Sequence, residues 1–279
     1  MTVISADLVK ILRDKTSVSM MECKKALVQT NGNIDEAIDL LRKSGIAAAV
    51  KKQSRAASEG LVAISLSSDK KQIAAVAINC ETDFVAKNEK LSSFAQKVAD
   101  LIIANQNADL NYLATAVEED RLTLVSQLGE NIVLGRAELC TASASETVNS
   151  YLHGGASGPY KIASIICLEG GSRELAKDIA MHAAAMRPEY ITQADVPKDR
   201  LQKEEEICLE QTKANNSDKP ADILQKIVAG RVAKFFKEIT LVDQIFIKKD
   251  QDEEITVAKL LTKHKAKIVK MLRLEVGKK

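Results

Sequence analysis

Over residues 5–45 apolar positions recur three times at helical spacing. Leu8, Ile11 and Leu12 form one stripe, Met20, Cys23 and Leu27 a second, and Ile34, Ala37, Ile38 and Leu41 a third. The helix ends carry their own signals. Ser19 with Glu22 and Asn33 with Glu36 have capping-box spacing, and Gly45 can close the third helix in a left-handed conformation. The pattern predicts a three-helix module over residues 1–45. Fewer than about 60 residues bury too little surface to be stable alone, so the module is expected to lean on a partner or on the rest of the chain. Residues 46–59, IAAAVKKQSRAASE, are small, basic and weakly patterned, and read as a helical or flexible linker.

The periodicity then changes. GLVAISLS and QIAAVAINC are β-rich runs on either side of SDKK, a hairpin signal, after which Leu91, Phe94, Val98, Leu101 and Ile102 return to helical spacing. A second helix over about 115–128 and a strand, NIVLGRAELC, complete a unit over residues 60–140. A similar order follows: ETVNSYLH and KIASIICLE as strands, a helix from Ser172 to Met186, a helix near 256–264, and a last strand, KIVKMLRLEV. Two β-β-α-α-β subdomains are thereby predicted, the second spanning residues 141–196 and 238–279. An insertion over residues 197–237 separates the helices of the second copy, and its helical halves meet around NNSDKPAD. Leu224, Val228, Val232 and Phe235 mark one face, which predicts an antiparallel helical hairpin, a possible dimerisation element. The fold class expected is α+β.

Length agrees with this division, since 279 residues at roughly 150 per domain suggest about two domains. No apolar run approaches the roughly 20 residues of a membrane helix, and no membrane partner is expected. The opening MTVISADLVKILRDK lacks the basic start, apolar middle and cleavage site of a secretory signal, so a cytoplasmic location is expected. Cys23, Cys80, Cys140, Cys167 and Cys208 are odd in number and widely spread with no CxxC pair, which fits buried free thiols rather than disulfides or zinc ligands. Forty basic against 38 acidic residues leave a net charge of +2, and with no Trp, five Phe and four Tyr the chain is poorly supplied for stacking on nucleic acid.

The chemistry of an autonomous enzyme is missing. Neither GxGxxG nor GxxxxGK[ST] occurs, and GxSxG and HExxH are also absent, so no cofactor is expected. His182 shares a helix face with Leu175, Ile179 and Met186 and reads as a packed core histidine, while His264 among lysines at a helix end reads as solvated. His153 ends a strand and enters the glycine-rich loop GGASGP, where a contact role and a plain loop position are equally open. The acidic runs 118–120 and 204–206 lie on predicted helices with basic neighbours and read as solvated faces. In NCETDFVAKNE, residues 79–89, Asp83 and Phe84 follow directly on an apolar strand. Taken alone, the ring is best read as packing on the following helix; the alternative is a wedge with a carboxylate beside it.

Three stretches, LRDKTSVSMMECKKAL (12–27), NCETDFVAKNE (79–89) and IAMHAAAMRPEYI (179–191), resemble in order and spacing the signatures of the translation elongation factor Ts family. GENI (129–132), SYLHGGASG (150–158) and GRVAKFFKEITL (230–241) resemble its later blocks, so that the likeness covers nearly the whole chain. The resemblance implies a ubiquitin-associated-like helical domain, a two-part core, a coiled-coil insertion, and guanine-nucleotide exchange on elongation factor Tu without covalent chemistry. It further implies that Thr82, Asp83, Phe84 and Val85 intrude beside the magnesium site of that partner. Arg13, Met20, Met21 and Lys24, with Lys51 and Lys52 as weaker candidates, would grip its GTPase domain, and His153 would reach it away from the nucleotide. By position on the helix, Met20 shares the face of Cys23 and Leu27 and is expected in the core, whereas Met21 falls beside Lys25 and suits a partner. Ser17 and Ser19 stand where the family commonly has glycine, and DQIF lacks the proline expected before Phe246. The chain stops at LRLEVGKK, so the C-terminal helical module of longer members is expected to be absent. The rival readings are an RNA-binding translation factor using the 51–55 basic patch and a hydrolase built around His153.

Overall fold

A computed structural model of the chain describes residues 4–16, 18–154, 158–215, 220–248 and 254–277, with the backbone alone at residues 46–51, 215 and 221. Ser17 lies outside the described residues, and so does the side chain of Lys51. Helices α1 (Ala6–Thr16), α2 (Met20–Gln29) and α3 (Ile34–Lys52) bury Val9, Leu12, Val18, Cys23, Ala26, Leu27, Ala37 and Leu41 in a core of their own. The predicted stripe on α1 is displaced, since Val9 is buried while Ile11 is 45% exposed. Met20, expected inside, is also exposed: the α2 seam runs through Cys23, Ala26 and Leu27, and Met20 in the first turn lies beyond its end.

Both N-caps form as their spacing predicts, but neither capping box closes on the cap's own backbone amide. Ser19 Oγ accepts from the Glu22 amide at 3.3 Å, but the Glu22 carboxylate takes Lys25 Nζ at 2.9 Å instead of closing the box. Asn33 Oδ1 accepts from the Asp35 and Glu36 amides at 3.1 and 3.2 Å, and its Nδ2 donates to Glu36 at 2.9 Å. Gly45 does not end α3, which continues to Lys52 and takes up half of the predicted linker. It is buried within the helix, where an added Cβ would lie 3.1 Å from Ser126 Oγ. Gly45 therefore serves packing, letting α3 lie close against the core.

The core is built from two antiparallel sheets. Strands β1 (Glu59–Leu66), β2 (Gln72–Cys80) and β3 (Val133–Thr141) form the first in the order β1-β2-β3. Strands β4 (Glu146–Gly154), β5 (Tyr160–Glu169) and β6 (Lys267–Glu275) form the second in the order β4-β5-β6. Both sheets thus place their second strand at the centre. Alternation along the strands sends Val62, Ile73, Ala75 and Ala77 of the first sheet against Ala163, Ile165, Cys167, Leu272 and Leu274 of the second. The opposite faces carry the helices. Leu61, Ala74, Val76 and Ile78 pack beneath α4 (Asp83–Ala86), α5 (Glu89–Asn105), α6 (Leu110–Ala116) and α7 (Glu118–Leu128). Ile166, Leu168 and Ile268 pack beneath α8 (Arg173–Met186) and a later helix over Val257–Lys263. The helix predicted over 115–128 is two, divided at Val117, which ends α6 and precedes α7.

The insertion consists of α9 (Lys198–Asn215) and α10 (Ala221–Ile239), so the Val257–Lys263 helix is α11. Leu224, Val228, Val232 and Phe235 are half-buried, while Gln225, Lys226, Ala229, Ala233 and Lys234 are exposed, as a single inward face requires. At the hairpin's base the Glu189 and Tyr190 amides donate to the Ile239 carbonyl at 2.8 and 3.0 Å, and the Leu241 amide returns to Tyr190 at 2.9 Å. All five cysteines are buried free thiols. Among the described residues no helix is long and apolar enough to cross a membrane. The chain is α+β in the arrangement expected: a helical module, a two-sheet core and an inserted helical hairpin.

Candidate functional site

Strand β2 ends at Cys80, and the chain turns directly into the four-residue helix α4. Thr82 caps that helix, its Oγ1 accepting from the Val85 amide at 3.4 Å. The turn divides its side chains by side. Ala86 is buried and Val85 packs on the first core, whereas Phe84 is 81% exposed, more than any other large apolar side chain described. The expectation from sequence alone, that Phe84 packs on the following helix, is therefore overturned: Val85 and Ala86 occupy the inward positions. Asp83 accepts from Lys87 Nζ at 2.8 Å, one turn further on. That hydrogen bond, with the ammonium charge, holds its carboxyl below the usual range, so Asp83 presents a negative charge beside the ring.

The base of the turn is held by residues far away in sequence. Gly129, with φ of 78°, ends α7 in the left-handed conformation and redirects the chain so that Glu130 meets the end of β2. Glu130 Oε2 accepts from the amides of Glu81 and Thr82, both at 3.0 Å, and Oε1 accepts from Thr82 Oγ1 at 2.5 Å. The arrangement is reciprocal, because Glu81 Oε1 accepts from the Asn131 amide at 2.7 Å. Asn131 Nδ2 donates in turn to the Arg55 carbonyl at 2.9 Å, and the Arg55 guanidinium lies 3.5 Å from Glu81. The Cys80 thiol donates to the Thr82 carbonyl at 3.2 Å. Burial pushes that thiol up to about 12, with the Glu130 carboxylate adding to the effect, so it remains a protonated donor.

Asp83 and Lys87 also line one side of a cleft of about 630 Å³. His153, exposed near the end of β4, lines the same cleft, as do Lys161, Arg187 and Glu275. The structure thus brings the 82–85 turn and His153 together from the two halves of the core. The cations of this cleft are already matched: Lys87 by Asp83, Lys161 by Glu59 at 2.6 Å and Arg187 by Glu275 at 3.2 Å. Such a lining suits a polar protein surface better than a free anion. The other predicted residues lie elsewhere. Arg13 is exposed on α1, Met20, Met21 and Lys24 are exposed on α2 with Met21 at 64%, and Lys52 is half-buried at the end of α3. Sequence reasoning missed Glu130, Asn131 and Arg55 as partners of the turn. GENI was visible as a block, but nothing local ties Glu130 to Thr82, 48 residues away.

His182 is wholly buried in the second half, as expected of a core histidine. Its Nδ1 accepts from the Ile247 amide at 3.1 Å, which places the proton on Nε2, donated to Gln244 Oε1 at 2.9 Å. Among the described residues no group of His, Cys, Asp and Glu is placed to hold a metal.

Fold and site together describe a multi-part α+β protein whose most conspicuous surface element is an uncovered aromatic ring on a braced acidic turn. The family model described as Elongation factor TS matches residues 81–278. The chain is similar to Elongation factor Ts of Thioalkalivibrio sulfidiphilus, at 46% identity over 98% of this chain and 92% of that protein. It is similar also to that of Hydrogenovibrio crunogenus, at 41% over the same shares, and to that of Arthrospira platensis, at 42% over 89% of this chain and all of the other. The chain belongs to the elongation factor Ts family, and with it to the proteins of translation elongation.

Proposed function

We propose that this chain is a guanine-nucleotide exchange factor for elongation factor Tu, and that it promotes GDP release by disturbing the partner's magnesium and phosphate site. The observation that carries the reading is Phe84, four-fifths uncovered at the head of a short helix whose base is fixed by Glu130. A solvated ring leaves unrealised the roughly 1.5–3 kcal/mol that burying it would contribute, so it has that much to gain on docking. Asp83, charged and adjacent, is placed to compete with or repel groups that hold phosphate and metal. No bond is made or broken by this chain in such a step, and it needs no cofactor.

The same magnitude limits the ring. Up to about 3 kcal/mol is roughly two decades in an equilibrium constant, and a larger weakening of GDP must draw on magnesium loss and on the rest of the interface. His153, in the same cleft as Asp83, and Arg13, Met20, Met21 and Lys24 on the helical module supply the further contacts in this reading, with Lys51 and Lys52 at the end of α3 as weaker candidates. Replacing Phe84 by Ala tests the reading at its centre. Release of a fluorescent GDP analogue from elongation factor Tu is expected to slow by about tenfold or more. The thermal midpoint should stay unchanged, because an exposed side chain contributes within about 0.5 kcal/mol. Release rates equal to those of the parent chain would refute the wedge.

A further inference from the structure

We infer that Glu130 is a positioning residue for exchange: its carboxylate sets the direction in which α4 presents Asp83 and Phe84. The inference rests on the exchange reading above and adds to it a residue from outside the 82–85 turn. A four-residue helix cannot hold its own orientation. Its backbone ladder amounts to the Ala86 amide on the Thr82 carbonyl and the Lys87 amide on that of Asp83, each at 3.2 Å, with the Asn88 amide closing on Val85 at 3.0 Å, and so short a ladder does not offset the cost of ordering the chain. Val85 and Ala86 seat its inner face on the core, but the exposed ring cannot anchor its head.

What fixes the head of α4 is one carboxylate that receives two successive amides and a hydroxyl at 2.5–3.0 Å. Bonds to an ionised acceptor are shorter and stronger than neutral ones, and three convergent bonds leave the Glu81–Thr82 peptide little freedom to rotate. The carboxylate is itself held in place. Asn131, the next residue, is bonded through its amide to Glu81 and through its side chain to the Arg55 carbonyl, so Glu130 cannot withdraw without breaking the reciprocal bond. From Thr82 to Phe84 is two residues, so a change in the head of the helix is carried directly to the ring.

A structural brace and a positioning brace differ in what their loss does. Gln at position 130 keeps the size of the side chain but removes its charge, and its NH₂ must face either the two backbone N–H groups or the Thr82 hydroxyl, which then has to give up donating to position 130. For Glu130→Gln the maximal rate of fluorescent GDP release from elongation factor Tu is expected to fall about tenfold, with the half-saturating concentration of factor within about twofold of the parent's. In a Phe84→Ala background the same change is expected to cost clearly less than in the parent, about threefold at most, because the ring is already gone and only Asp83 remains to be positioned. Amide hydrogen exchange on the free chain gives a readout independent of the partner. Protection at Glu81 and Thr82 should drop about tenfold while Ile179 and Ala180 in α8 keep theirs. An unchanged maximal rate, full additivity with Phe84→Ala, or equal loosening of α8 would each overturn the role of Glu130. A parent chain that fails to accelerate release would instead overturn the exchange reading itself, and this role with it.

Discussion

His182 shows how a single buried ring ties the second half of the chain together. It joins α8 to the segment after α10 by accepting from Ile247 and donating to Gln244, whose Nε2 reaches the Glu238 carbonyl at 2.8 Å. Burial lowers its pKa from 6.5, only partly opposed by the Gln244 bond. The unfolded ring takes up a proton below about pH 6.5 and the folded one resists it, so stability is complete above that value and is lost as the pH falls toward the lowered one. Thermal melts from about pH 7.5 down to about pH 5.5 should therefore show a decline that His182→Gln makes shallower. Parallel curves for the two proteins would show that His182 is not the titrating group. The burial of this residue was legible from its helix face, because Leu175 and Ile179 share it. Phe84 was not, since its exposure depends on which two of four residues in a short turn face inward, and a period cannot be read from a single turn.

Among the elements, α3 departs furthest from its sequence signals. Gly45 has the position of a helix terminator, yet the helix runs on because the glycine is needed where α3 meets Ser126 of α7. A tertiary contact here overrides a local signal. The division between α6 and α7 was illegible for the opposite reason: Val117 carries no turn chemistry, and only its backbone angles, φ −115° and ψ 11°, mark the break. The Gln127 side chain donates to the Thr16 carbonyl at 3.0 Å, a second tie between the helical module and the core. Gly45→Leu is expected to force α3 from α7 at a cost of about 1–3 kcal/mol, seen as faster proteolysis within residues 46–59 while the two sheets remain protected. Wild-type cleavage rates in that variant would mean that the helical module is not seated through Gly45.

Across the whole molecule, the order of elements, the two sheets and the inserted hairpin were legible, because period-two and period-3.6 patterns alternate cleanly along the chain. The network around Glu130 was not, because it joins residues 55, 81–82 and 130–131, and long-range pairing leaves no local trace. The hairpin leaves and re-enters the core side by side at Tyr190 and Thr240. Replacing residues 199–237 with a short Gly/Ser turn should leave a cooperative core, read as a single melting transition; loss of that transition would show that the hairpin is integral to it. The masses of the intact and shortened chains in solution test the expectation that the hairpin pairs two copies, which requires a dimer for the first and a monomer for the second. Coupling is reciprocal, so a factor that weakens GDP is itself displaced by excess nucleotide and can act many times. The direct measurement is release of a fluorescent GDP analogue from elongation factor Tu in the presence of about one-hundredth as much of this chain. The expected result is complete release at a rate that rises with factor concentration; a rate indistinguishable from spontaneous release would contradict the account.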